Sequence, residues 1–168
     1  MSQAFAAVLM GSDSDLPTMQ KTLDVLTNLQ VPYEVKITSA HRTPAATHAY
    51  VKDAESRGCS VFICAAGLAA HLAGAVAGLT TKPVIGVPMN GALEGMDSLL
   101  STVQMPGGVP VACVAIGSAG AKNAGYLAAQ MMSLADPALA ERVATERAAA
   151  ADAVIAKDKA LQEKLAQG

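Results

Sequence analysis

Apolar residues along this chain follow two rhythms. Short unbroken runs, Phe5–Met10, 61–66, 83–87 and 111–116, are the pattern of strands buried on both faces, and 33–38 completes a set of five. Between them lie stretches with helical spacing. Residues 17–30 place Met19, Leu23 and Leu26 on one face, with Pro17 acceptable in a first turn. Thr43-Pro44 opens a helix that runs to about Arg57, where Gly58 ends it. Residues 69–78 predict a short alanine-rich helix, 93–103 another, and 123–134 the last helix of the domain.

Strands that alternate with helices in this way call for a parallel sheet covered on both faces. Right-handed crossovers then give a three-layer, doubly wound α/β sandwich, flavodoxin-like, with strand order 2-1-3-4-5. In such folds a ligand sits beyond the carboxyl ends of the strands, at the switch point between strands one and three. Three loops are thereby selected: 11–15, 39–44 and 66–74. The α/β domain spans 1–135. Residues 136–168 differ, carrying 11 of the 26 charged side chains. Asp136 suits a cap and Pro137 a first helical position, so this segment reads as a helical arm. Leu139, Val143, Val154, Leu161 and Leu165 recur along one face of it. A five-stranded sandwich is complete without that stripe, which points to packing on another subunit.

Composition sharpens the picture. Apolar residues make up 52% of the chain, yet five are aromatic and 35 are alanine, so the core must be built from small side chains in close contact. A charged fraction of 15% and mean hydropathy of +0.34 leave the surface short of polar cover, which again implies a homo-oligomer. The net charge of −2 gives no electrostatic footprint for nucleic acid. No apolar run approaches the roughly 20 residues of a membrane span. The opening Met1-Ser2-Gln3-Ala4 has neither a basic region nor a long apolar stretch, so no signal peptide is expected. Cys59, Cys64 and Cys113 have no Cys-x-x-Cys spacing and no histidine cluster beside them. They read as reduced thiols acting as small hydrophobes, which favours the cytoplasm.

The selected loops hold the candidate chemistry. Gly11-Ser12-Asp13-Ser14-Asp15 offers close backbone approach, hydroxyl donors and a helix N-terminus to an anion. The same residues also suit plain helix capping, and both readings stand. The loop is neither a dinucleotide fingerprint nor a Walker loop. Ser39-Ala40-His41-Arg42-Thr43-Pro44 gathers an imidazole, a guanidinium and two hydroxyls in six residues. Arginine grips phosphate through a planar fork, and histidine trades protons near neutral pH. His48, farther along the helix, reads as structural. In Ala66-Gly67-Leu68-Ala69-Ala70-His71-Leu72 small residues let backbone line a pocket, and His71 is either a satisfied core histidine or part of that lining. Residues 117–122 read as a turn from strand to helix.

These segments, together with Pro-Val-Ile-Gly-Val-Pro at 83–88 and Asp-Ser-Leu-Leu-Ser-x-Val-Gln-Met-Pro at 97–106, resemble the N5-carboxyaminoimidazole ribonucleotide mutase family. That family is the class I PurE group, the catalytic subunit of phosphoribosylaminoimidazole carboxylase. Ala73 stands where many members carry proline. The resemblance implies reversible conversion of N5-carboxyaminoimidazole ribonucleotide to 4-carboxy-5-aminoimidazole ribonucleotide in purine synthesis, with no metal or organic cofactor. It implies His41 as general acid and base, and Ser12, Asp15 and Arg42 as substrate-binding residues. Ser39, Gly67, Ala70, His71 and Leu72 would line the pocket for the ring and carbon dioxide. It also implies an octamer and functional coupling to the synthetase that makes the substrate. Arg42 and His71 separate the chain from direct carboxylases, which tend to carry lysine after the loop histidine. Direct carboxylation, and non-catalytic binding of a phosphorylated mononucleotide, are the competing readings.

Overall fold

The computed structural model describes residues 4–166; Met1–Gln3, most of the segment on which the signal-peptide expectation rests, lie outside them. Five parallel strands, β1 (Phe5–Met10), β2 (Tyr33–Ile37), β3 (Cys59–Ala66), β4 (Val84–Pro88) and β5 (Ala112–Cys113), form one sheet of order β2-β1-β3-β4-β5. This is the expected flavodoxin-like topology. Helices α1 (Leu16–Asn28), α2 (Pro44–Ser56), α3 (Leu72–Ala77), α4 (Met96–Val103), α5 (Gly117–Ser133) and α6 (Pro137–Ala166) connect and cover it. Among the described residues no helix is long and apolar enough to cross a membrane.

Strand alternation sorts the core into two layers. Ala6, Val8, Met10, Val61, Ile63, Ala65, Ile85 and Val87 face α1 and α5. Phe5, Ala7, Leu9, Phe62, Cys64 and Val84 face α2 and α3. The alanines serve the first layer. Ala121, Ala124, Ala128 and Ala129 are fully buried on α5, and the Thr22 hydroxyl donates to the Ala121 carbonyl at 2.6 Å. A Cβ on Gly125 would lie 2.9 Å from that of Val25, so the two helices are nearly in backbone contact. The three cysteines are free. Cys59 and Cys64 are buried, and desolvation pushes the Cys59 thiol up to about 11.

Several boundaries depart from those expected. β3 begins at Cys59, two residues early, and α3 starts at Leu72 instead of residue 69. β5 keeps only two of the six apolar residues from 111 to 116, because at the sheet edge the chain pairs with β4 and then turns away. α5 begins at Gly117, six residues earlier than predicted, so 117–122 is the first turn and a half of a helix. On the opposite edge, β2 is partly open to solvent. The Arg57 guanidinium forks onto Glu34 there and holds its carboxyl below the usual range, while the Tyr50 hydroxyl donates to the same group.

The arm needs the largest revision. Leu139 is buried on its own subunit, Val143 packs on the same core, and the Arg142 guanidinium donates to the Leu29 carbonyl at 2.8 Å. The Asp136 carboxylate accepts the Leu139 amide and caps the helix, as expected. The first part of the stripe therefore has a home in the domain. From Arg147 onward the helix is exposed, including Val154, Ile155, Leu161 and Leu165.

Candidate active site

The carboxyl ends of β1, β2 and β3 open into a cavity of about 570 Å³. Ser12, Asp15, Ser39, His41, Arg42, Gly67, His71 and Leu72 all line it. Ala70 does not. Its methyl is fully buried behind the wall, and Leu68 and Ala69 hold the exposed positions instead. His48 lies exposed on α2, outside the cavity.

Each loop is shaped by its own hydrogen bonds. Ser12 caps a 3-10 turn at Asp13–Asp15: its oxygen accepts the Ser14 amide at 3.2 Å and the Ser14 hydroxyl at 2.8 Å. It also faces the cavity, so capping and pocket lining are one arrangement. Asp15 is the single carboxylate on the wall among the described residues, and partial burial with Asp13 nearby raises its pKa. In the second loop the Ser39 hydroxyl accepts the Arg42 amide at 3.1 Å, and the Thr43 hydroxyl oxygen accepts the Ser39 amide at 2.9 Å. Arg42 is the single guanidinium on the wall and forms no ion pair among the described residues. It is free to meet an anion.

The third loop brings His71 onto His41. His41 Nε2 and His71 Nδ1 are 2.8 Å apart and the rings meet edge to face, with 4.9 Å between centroids. The two nitrogens share one proton, since two N–H groups cannot point at each other. The remaining ring nitrogens stay available for exchange with a ligand. His71 is thus an exposed residue of the wall, and the core-histidine reading is set aside. Leu68 holds a left-handed backbone, φ 56°, which is strained for a branched side chain and projects it over the cavity rim.

One wall was not anticipated. Met89, Asn90 and Gly91, beyond β4, complete the cavity. Because β4 pairs with β3 and the Met89 amide donates to the Ala66 carbonyl, this loop is carried to the switch point alongside the third. Asn90 was the available signal, a polar side chain directly after a strand end. A single amide among apolar and glycine residues does not stand out as chemistry.

The chain is similar to known proteins over nearly its whole length. The AIR carboxylase family model matches residues 6–153. The N5-carboxyaminoimidazole ribonucleotide mutase of Bacillus subtilis is 55% identical over 146 residues, which covers 86% of this chain and 90% of that protein. The Mycobacterium tuberculosis mutase is 53% identical over 156 residues, covering 92% and 88%. The crystal structure of Treponema denticola PurE matches with a TM-score of 0.85 at 29% identity, over 94% of this chain and 98% of that one.

Proposed function

The chain belongs to the AIR carboxylase family, and from its kinship with the mutases in that family we infer its chemistry. It is an isomerase that converts N5-carboxyaminoimidazole ribonucleotide to 4-carboxy-5-aminoimidazole ribonucleotide in purine biosynthesis. The observation that carries the mechanism is the hydrogen-bonded His41–His71 pair in a cavity with one guanidinium and one carboxylate.

The reaction moves a carboxyl group within one molecule. The bond from N5 to the carboxyl carbon breaks, its electron pair stays on nitrogen, and carbon dioxide is released into the cavity. His41 gives a proton to that nitrogen. The electron-rich ring then attacks carbon dioxide through carbon four, and His41 takes back the proton which carbon four must lose. Proton count and charge balance, so one histidine serves both steps. Holding carbon dioxide against the ring replaces a dilute encounter with an effectively unimolecular one. Arg42 takes the phosphate through its fork, and Asp15 the ribose hydroxyls. Ser12 and Ser39 add polar contacts, while Gly67, Leu72 and the backbone around Ala70 shape the ring end.

Supplying the two candidate substrates separately tests this. N5-carboxyaminoimidazole ribonucleotide alone should give the 4-carboxy product, whereas aminoimidazole ribonucleotide with bicarbonate at millimolar concentration should give little. The reverse pattern identifies a direct carboxylase. Saturable binding without any carboxyl exchange identifies a mononucleotide-binding protein.

The octamer belongs to the same proposal. The apolar residues left open on α4 (Met96, Leu100, Val103), on β2 (Val35, Ile37) and on the outer part of α6 support it. Deleting residues 148–168, whose described members as far as 166 are exposed, should reduce the mass seen by light scattering and lower activity. Unchanged mass and turnover would show that the outer arm is only a tail. Three free thiols favour the reducing cytoplasm. A carbamate that sheds carbon dioxide in water also favours direct hand-over from the synthetase that forms it.

A further inference from the structure

The loop bearing His41 and Arg42 is held by hydroxyl groups that the reaction itself does not use. Thr47, one turn into α2, is 2% exposed, and Thr38, at the end of β2, is 4% exposed. A proton count gives their bonds a direction. With the Thr47 hydroxyl taken as donor to the Thr43 carbonyl at 3.1 Å, the 2.7 Å bond between Thr38 and Thr47 runs from Thr38 to Thr47. The Thr43 hydroxyl donates to the Ser39 carbonyl at 3.1 Å while accepting the Ser39 amide. All three hydroxyl protons are then spent, and the 3.3 Å approach of Thr38 to Thr43 carries none. The result is a one-way chain from Thr38 through Thr47 to the backbone of Thr43, and from the Thr43 side chain to both polar backbone groups of Ser39. His41 lies inside that clamp. Among the described residues its ring has one hydrogen bond, to His71.

We propose that Thr47 is a positioning residue for His41, its buried hydroxyl holding the 39–43 turn where His41 Nε2 stays within reach of His71 Nδ1. The consequence for turnover rests on the reading of His41 as proton carrier; the geometry does not. Thr47→Val keeps the shape and removes the hydroxyl. The Thr38 proton then loses its acceptor in a buried place, and the nearest oxygen left to it is Thr43 Oγ. Drawing Thr43 toward Thr38 pulls it away from the Ser39 amide and loosens the turn. A shift of about 1 Å in a reacting group is enough for losses on the order of 100-fold.

The test uses the full chain with nitrogen-15-labelled histidine, a simple spectrum because the protein has three histidines. The signature of the paired Nε2 and Nδ1 should be present in the wild type and in Thr47→Ser, and lost in Thr47→Val. The kcat of Thr47→Val should fall by roughly 10- to 100-fold and recover in Thr47→Ser, with assembly mass unchanged. If Thr47→Val does not fold, the double variant Thr38→Val/Thr47→Val, which strands no buried hydroxyl but still lacks the Thr47 donor to the Thr43 carbonyl, replaces it with the same expectation. Paired-ring signals that persist in either valine variant overturn the proposal. Lost pairing with intact kcat upholds the role of Thr47 in placing the ring, and counts against His41 as the proton carrier.

Discussion

His41→Asn should bind N5-carboxyaminoimidazole ribonucleotide and fail to turn it over. Asparagine keeps a polar group near the first ring nitrogen but reaches less far, so the contact with His71 Nδ1 at 2.8 Å is lost. More importantly, an amide neither gives up nor accepts a proton near neutral pH, and the reaction needs a transfer in each direction. General acid–base catalysis contributes roughly 100- to 10,000-fold, or about 3–5 kcal/mol of barrier. The fall in kcat should lie in that range, since the same side chain serves both steps. KM should change by no more than a few-fold, because Ser12, Asp15 and Arg42 keep their places on the wall. Product quantified by chromatography under saturating substrate, with isothermal titration of the inactive variant, separates the two quantities. Residual turnover above about a tenth of wild type would remove His41 from the proton-transfer role and leave it as a wall residue.

How far the sequence foretells this molecule depends on what each residue touches. β1, β3 and β4 are legible because both of their faces are buried, so apart from Ser60 near the start of β3 no polar residue interrupts them. The run at 111–116 looks the same and forms only a two-residue strand. Apolar character reports burial: beyond Cys113, Val114 and Ile116 are half-buried by packing, Ala115 is exposed, and among the described residues no strand lies on their outer side. Strand order and the choice of three loops follow from handedness and from the switch-point rule, neither of which needs side-chain detail.

The candidate site is legible one loop at a time and not as an assembly. His41 and Arg42 attract notice because imidazole, guanidinium and hydroxyls crowd six residues. His71, thirty positions away among alanines and leucines, has no local mark. Only the pairing of β1 between β2 and β3 brings the two loops together. The strained backbone of Leu68 and the contribution of Asn90 are likewise properties of the folded chain. Ala70 illustrates the converse: its family motif is intact, while its side chain points away from the cavity wall it was expected to form.

The early start of α5 leads to the most disruptive substitution expected outside the site. In sequence, Gly117 and Gly120 look like turn residues, and reading them as a flexible connection delays the helix. Gly117 does sit in the left-handed region, φ 68°. Gly120 is there for a different reason: a Cβ at this position would overlap the Ala115 carbonyl oxygen and lie 2.5 Å from its carbon. Both obstructing atoms are backbone, so no rotamer change relieves the overlap. Gly120→Ala must push the first turn of α5 off the end of β5 or unwind it. That helix seals one face of the sheet through Ala121, Ala124 and Ala128, which have no side-chain length to follow a displaced axis. The loss should exceed about 4 kcal/mol, in the tail reached by forced backbone rearrangement. Against a total of roughly 5–15 kcal/mol this leaves little folded protein. Gly107→Ala is the matched control: nothing lies within 4 Å of the added carbon, and its effect should stay within about 0.5 kcal/mol. Urea midpoints and soluble yield read both variants. A Gly120→Ala protein as stable as Gly107→Ala would mean that α5 does not pass so close to the Ala115 carbonyl.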